Sequence, residues 1–154
     1  MKISLTKSQH KVSQSKKRFR VLISGRRFGK TYLCITEMMK YATQVNKNIW
    51  YVAPTFKMAR EIVWSKLKQM LADFNWIENI NESNLQIRVK KTGSIISLKG
   101  CENYDYLRGV GIDFLVLDEF ADINEKAWTE VLRASISDTV GDVLMCGSPK
   151  GYGN

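Results

Sequence analysis

The chain has a single histidine and three cysteines among 154 residues. His10 alone makes no metal cluster and reads as a surface residue. Cys34, Cys101 and Cys146 lie far apart in the chain. They show neither the C-x-x-C spacing of a zinc site nor the density of a disulfide scaffold, so reduced core thiols in a cytosolic protein are expected. No stretch approaches the roughly 18 apolar residues that would span a bilayer, and no membrane segment is expected. Internal repeats, low-complexity tracts and linkers are missing as well. So are acidic residues from the first twenty positions, which carry Lys2, Lys7, Lys11, Lys16, Lys17, Arg18 and Arg20.

What is present is ordinary for one globular domain with a real core: 44% hydrophobic and 25% charged residues. The net charge of +9 comes from 24 basic and 15 acidic residues. Such an excess suits a polyanionic partner such as nucleic acid, and charge alone fits a solvated basic arm equally well. A transit peptide is disfavoured, because a strand begins almost at once, near Phe19.

Ser24-Gly25-Arg26-Arg27-Phe28-Gly29-Lys30-Thr31 follows the apolar run Val21-Leu22-Ile23 and precedes a helix-like segment. A strand that turns through glycines into a helix opening with Lys-Thr is a phosphate loop. Its backbone N–H groups point inward around phosphates, and the helix N-terminus adds partial positive charge. Lys30 would reach the β- and γ-phosphates of ATP, and the Thr31 hydroxyl would bind Mg²⁺. Ser24 stands where the first glycine of the usual G-x-x-x-x-G-K-[ST] pattern belongs.

Far along the chain, Phe114-Leu115-Val116-Leu117 runs into Asp118-Glu119. Four consecutive apolar residues bounded by charge read as a strand buried on both faces, as in parallel sheets. Acids at its C-terminal end would face the crevice where α/β sheets bind ligands. Asp118 is placed to hold Mg²⁺, and Glu119 to polarise the attacking water.

The remaining segments alternate. Arg18 to Ser24 reads as a strand and Lys30 to Gln44 as its helix, followed by a strand at Asn48 to Ala53 stopped by Pro54. A helical spacing covers Met58 to Phe74. A hairpin follows, Leu85 to Val89 and Ser94 to Leu98 about a Lys91-Thr92-Gly93 turn. After the acidic strand come a helix from about Asn124 to Ser137 and a last strand, Val143 to Cys146. The expected fold is α/β: a P-loop NTPase of the RecA type, a parallel sheet flanked by helices, with an inserted β-hairpin. The room for a strand–helix unit between Lys30 and Asp118 suggests another strand between the two motif-bearing strands. Trp50, Trp64, Trp76 and Trp128 read as packing residues.

In this order the segments resemble the ATPase domain of the phage terminase large subunit, a DNA-packaging motor. Leu5-Thr6-Lys7-Ser8-Gln9 is similar to that family's adenine-contacting motif, with Gln9 as its glutamine. Ser24 to Thr31 resembles the family's form of the phosphate loop, and Tyr51 to Thr55 the segment after the second strand. Leu107-Arg108-Gly109 with Phe114 to Glu119 resembles its Arg-Gly and acidic-strand block. Cys146 to Gly151 is similar to the motif coupling hydrolysis to movement. The resemblance implies that Gln9 and the loop residues Ser24, Gly25, Arg26, Arg27, Phe28, Gly29, Lys30 and Thr31 bind nucleotide. It further implies that Thr31 and Asp118 hold Mg²⁺, that Glu119 and Arg26 act in hydrolysis, and that Ser148, Pro149, Lys150 and Gly151 couple. Arg108 would sense the nucleotide.

The implied partners are double-stranded DNA, a portal ring, a small terminase subunit and further copies in a ring, in the bacterial host cytoplasm. Residues 1–154 would be the front part of the ATPase domain, without the rest of its sheet or a nuclease domain. A fragment, a split gene and a prophage remnant that only binds nucleotide are the origins this suggests. Another nucleic-acid translocase or helicase of the same motor fold is the rival activity.

Overall fold

The computed structural model describes residues 2–25 and 28–149. Arg26, Arg27, Lys150 and Gly151, four of the expected site residues, lie outside the described residues.

The basic arm contains a helix that the sequence reading leaves out. Helix α1, Lys7–Gln14, opens on a reciprocal cap: the Thr6 hydroxyl accepts from Gln9 N, and the Gln9 side chain accepts from Thr6 N. Two backbone donors with no partner inside the helix are thereby satisfied. Strand β1, Phe19–Ile23, then leads into the phosphate loop, and α2, Lys30–Ala42, leaves it. Strand β2, Asn48–Ala53, is followed by a bent helical run: α3, Phe56–Ala59, a π-helical turn at Arg60–Trp64, and α4, Ser65–Asp73. Strands β3, Ile77–Asn81, β4, Gln86–Val89, and β5, Ile95–Gly100, form an antiparallel meander. Strand β6, Phe114–Asp118, a second π-helical turn at Ala127–Leu132, helix α5, Arg133–Thr139, and strand β7, Asp142–Gly147, complete the order.

The strands form one seven-stranded sheet in the order β1-β7-β6-β2-β5-β4-β3. Strands β1, β7, β6, β2 and β5 are mutually parallel. The four segments expected to share a parallel sheet do so. Two details differ from the sequence reading. A strand does lie between the two motif-bearing strands, but it is β7, which comes after both motifs and not between them. The hairpin is real, yet its second strand β5 pairs in parallel with β2, so the hairpin is half built into the central sheet.

Alternation of side chains along each strand divides the core into two layers. Ile49, Tyr51, Phe114, Val116, Leu144 and Cys146 face α2 and the α3–α4 run. Trp50, Val52, Leu115, Leu117 and Val143 face α5 and the turn before it. Each fully buried large side chain of this kind contributes about 1.5–3 kcal/mol. Strand β1 departs from the pattern. Arg20 and Leu22 point into the first layer, while Phe19, Val21 and Ile23 are exposed on the other face. The Arg20 guanidinium forms a buried ion pair with Glu37 of α2 and donates to Val12 O, 3.0 Å; Ser13 Oγ donates to Glu37, 2.8 Å. This cluster fastens α1, β1 and α2 together.

Candidate nucleotide site

The parallel strands end on one side, and the C-terminal ends of β1, β7 and β6 bring the expected groups together. Register sets the arrangement: Ile23 of β1 is opposite Gly147 of β7, and Asp118 of β6 is opposite Cys146. The phosphate loop, the acidic pair and Ser148 therefore emerge side by side. They line a cleft of about 380 Å³ whose walls include Ser24, Gly25, Gly29, Lys30, Thr31, Asp118, Glu119 and Ser148.

Lys30 is at the centre. Its ammonium is 3.1 Å from Asp118 Oδ1, donates to the Glu119 carboxylate, and lies 3.5 Å from Ser148 Oγ. Ser148 Oγ donates to the same Glu119 oxygen at 3.0 Å. Burial pushes the Lys30 ammonium down, but the two carboxylates more than offset it and its pKa is raised. Burial pushes Glu119 up, and the hydrogen bonds from Lys30 and Ser148 outweigh that and hold it below its ordinary value. Both groups are therefore charged at neutral pH.

Asp118 is only 2% exposed. Its Oδ1 accepts from Glu119 N at 2.9 Å, and its Oδ2 accepts from the Tyr51 hydroxyl of neighbouring strand β2. Burial, with the Asp118 charge beside it, pushes the Tyr51 phenol well up, so it stays a donor. Glu119 has φ +49°, a left-handed conformation uncommon for a side chain of this kind, at the point where β6 turns out of the sheet. That twist swings the second carboxylate away from the strand and toward Lys30.

The loop is held from beneath by Gln9. Its Nε2 donates to Phe28 O at 2.8 Å and Gly29 O at 3.1 Å, while its Oε1 is occupied by Thr6 N. Gly29 has φ +77°, and a Cβ there would stand 2.5 Å from Gln9 Nε2, so any other residue would be strained and would displace the Gln9 amide from the loop. Ser24 N donates to Gly147 O at 3.1 Å, extending the β1–β7 pairing into the loop. The first turn of α2 carries no acid, which leaves its N-terminal N–H groups open to an anion.

Thr31 and Asp118 fit a Mg²⁺ site. The ion prefers hard oxygen donors, keeps several waters, and takes only one or two carboxylates plus substrate phosphates. A hydroxyl at the first helical turn and a carboxylate across the cleft supply that donor set. Pro149 follows Ser148 as an exposed residue. Arg108 does not join the cleft: Asp105 holds it at 3.0 Å and Glu130 at 3.8 Å, and it also donates to Glu130 O. Tyr51 opens one of the segments that carry the resemblance, but its bond to Asp118 is not foreseen by the sequence reading, since nothing local marks which neighbour a buried strand tyrosine will meet. The tryptophans are packing groups, Trp50 and Trp64 buried, and the three cysteines are free and buried. Cys34 and Cys146, distant in sequence, have sulfurs 3.5 Å apart beneath the site. No helix among the described residues is long and apolar enough to cross a membrane.

Comparison with known proteins places the chain in a family. Residues 21–146 match the family described as terminase large subunit, T4likevirus-type, N-terminal. A terminase large subunit of Thermus phage G20c is 26% identical over 91% of this chain and 33% of its own length. The large terminase ATPase domain of Thermus phage P74-26 superposes with a TM-score of 0.83 at 25% identity, over 97% of this chain and 66% of that one. The large terminase of another thermophilic bacteriophage, solved in complex with ADP, has a TM-score of 0.80 at 19% identity, over 93% of this chain and 39% of its own. The chain thus spans about a third of the curated relatives' length.

Proposed function

Since the chain belongs to the terminase large subunit family, T4likevirus-type, in its N-terminal part, we propose that it is the ATP-hydrolysing motor part of an enzyme that drives double-stranded DNA into a phage or prophage capsid. The single observation that carries this reading is the convergence of Lys30, Thr31, Asp118, Glu119 and Ser148 on one cleft at the C-terminal ends of β1, β6 and β7. The family match favours a packaging ATPase over other nucleic-acid translocases.

The loop amides and the α2 N-terminus would cradle the phosphates, and Lys30 would leave the carboxylates to meet the β- and γ-phosphates. Glu119, freed from Lys30, would accept a hydrogen bond from the attacking water and align it for in-line displacement. Thr31 and Asp118 would hold Mg²⁺, whose chemistry there would be neutralisation of phosphate charge. Arg26 is assigned to developing charge on the transferred phosphoryl group. Ser148, which bonds both Lys30 and Glu119, would register their separation and pass it through Pro149, Lys150 and Gly151. Gln9 is assigned to the nucleotide site, and its bonds to the loop carbonyls support a role in setting the loop's shape.

DNA, the portal ring, the small terminase subunit and further copies of the chain are the partners this role implies, in the host cytoplasm. The net charge of +9 supports a polyanionic partner. The domain assignment is the front part of the motor domain. The test is calorimetric binding of Mg·ATP to the chain and to Lys30→Ala. Binding by the parent and none by the variant is expected; equal affinity for both refutes the assignment.

A further inference from the structure

The cleft has a wall that the phosphate loop and acidic pair do not supply. Ile62 and Lys66 line it together with Lys30, Thr31, Tyr32, Asp118, Glu119 and Ser148. Both come from the helical run after β2. Ile62 sits in the π-helical turn Arg60–Trp64, and Lys66 is one turn further, at the start of α4. A π-helical turn is a rare local irregularity that often occurs at functional sites. Around it Val63, Trp64 and Leu67 remain buried against the sheet. The run thus keeps its core contacts while presenting Ile62 and Lys66 to the cleft.

Lys66 is exposed, with no ion pair or side-chain hydrogen bond among the described residues. Lys30, by contrast, is already engaged by both carboxylates. The formal charges of Lys30, Lys66, Asp118 and Glu119 cancel, so among the described side chains of the cleft Lys66 is the cation left over for an incoming anion once Lys30 is engaged by the acids. Without Lys66 the two acids would outnumber the side-chain cations among these described residues. Lys66 shares this cleft with Lys30, Thr31, Asp118 and Glu119, the groups assigned to the terminal phosphate and the metal, as well as with the loop residues Ser24, Gly25 and Gly29, while Gln9 and Phe28 do not line it.

We infer that Lys66 is a second phosphate-binding cation, supplied within the same chain by the helix after β2, and that it selects a nucleoside triphosphate over a diphosphate. This rests on the reading of the cleft as an ATP site. Lys66 acts as a point charge with rotatable donors, and its long, flexible stem lets it follow the terminal phosphate.

The test is calorimetric binding of Mg·ATPγS and Mg·ADP to the parent chain, Lys66→Gln, Lys66→Arg and Lys57→Gln. Lys57 is exposed on the same helical run and does not line the cleft, so its variant subtracts the general loss of one positive charge. Lys66→Gln is expected to lose about tenfold in ATPγS affinity, the size of one charge-assisted hydrogen bond, with less than about a twofold change for ADP. Lys66→Arg should recover most of the loss, and Lys57→Gln should bind both nucleotides as the parent does. Equal losses for the two nucleotides, or ATPγS affinity like that of Lys57→Gln, overturns the inference while the ATP reading stands. A parent chain that binds neither nucleotide overturns both.

Discussion

Tyr51, on β2, donates its hydroxyl to Oδ2 of Asp118, at the end of the adjacent strand β6. The bond is made inside the sheet and fixes which way the carboxylate faces: one oxygen toward β2, the other toward Glu119 N and Lys30. Tyr51→Phe should keep the packing and release that orientation. Outer partners of this kind are typically worth about 10–100-fold in metal affinity. The expected outcome is a rise of that order in the Mg²⁺ concentration needed for ATP binding, read by titrating the metal at fixed nucleotide.

The neighbouring acids should separate cleanly. Glu119→Gln should leave ATP binding nearly intact and slow hydrolysis by roughly two orders of magnitude or more, the range of a positioned base. Asp118→Asn should instead weaken Mg²⁺-dependent binding itself. Both are measured by steady-state ATP hydrolysis alongside binding, in a chain extended through the rest of the motor domain. An unchanged hydrolysis rate with Gln at 119 would move the catalytic role elsewhere.

The acid limb of stability carries a second signature of Glu119. Its folded pKa is held below the ordinary 4.5 by Lys30 and Ser148. A lowered carboxylate pKa stabilises the fold above the unfolded value, and that contribution is lost as pH falls through the folded value. The stability difference between the parent and Glu119→Gln should therefore be full at neutral pH and shrink below about 4.5. Urea unfolding at a series of pH values measures it.

Glu37 is the structural counterpart. Its carboxylate is buried and meets Arg20, Ser13 and Lys40. Glu37→Ala would leave Arg20 charged and unpaired inside the first core layer, at a cost of about 3–5 kcal/mol. Replacing both partners, Arg20→Met with Glu37→Leu, should recover most of that loss, since apolar pairs of similar volume often match a buried ion pair. Chemical denaturation of the four-member cycle gives the coupling.

Gly29 offers a test of the loop's geometry. Gly29→Ala meets both a left-handed backbone, about 1–2 kcal/mol for a residue with a Cβ, and the Gln9 amide in its path. A lower melting temperature and loss of nucleotide binding are expected. In Gln9→Ala,Gly29→Ala the clash is gone and only the backbone strain persists, so part of the stability should return.

The elements with strong local signals were legible: the apolar runs of β2, β6 and β7, the helix α2, and the Lys91-Thr92-Gly93 hairpin. Strand β3 was not, because Ile77-Glu78-Asn79-Ile80-Asn81 is largely polar and sits at the sheet's edge, where pairing alone makes it a strand. Helix α1 had a readable start in Thr6-x-x-Gln9, but its mean hydropathy is low and its charges resemble a solvated arm. The π-helical turns have no sequence pattern. At the site, motif residues could be placed by spacing, whereas Tyr51 with Asp118 and Arg20 with Glu37 are pairings across the sheet that no local periodicity reveals. The place of β7 beside β1 is likewise a matter of strand order, which chain order does not dictate.

The outward row on β1 has a practical consequence for handling the molecule. Val21 is 63% and Ile23 60% exposed, beside Phe19 at 50%, on a strand at one end of the sheet. A greasy row on a strand with no further partner strand among the described residues favours sticking between copies, and what holds copies apart in dilute buffer is their shared charge of +9. Salt at about 0.1 M confines that repulsion to roughly 10 Å. Raising the ionic strength should therefore turn a clear solution cloudy well before the fold itself is weakened.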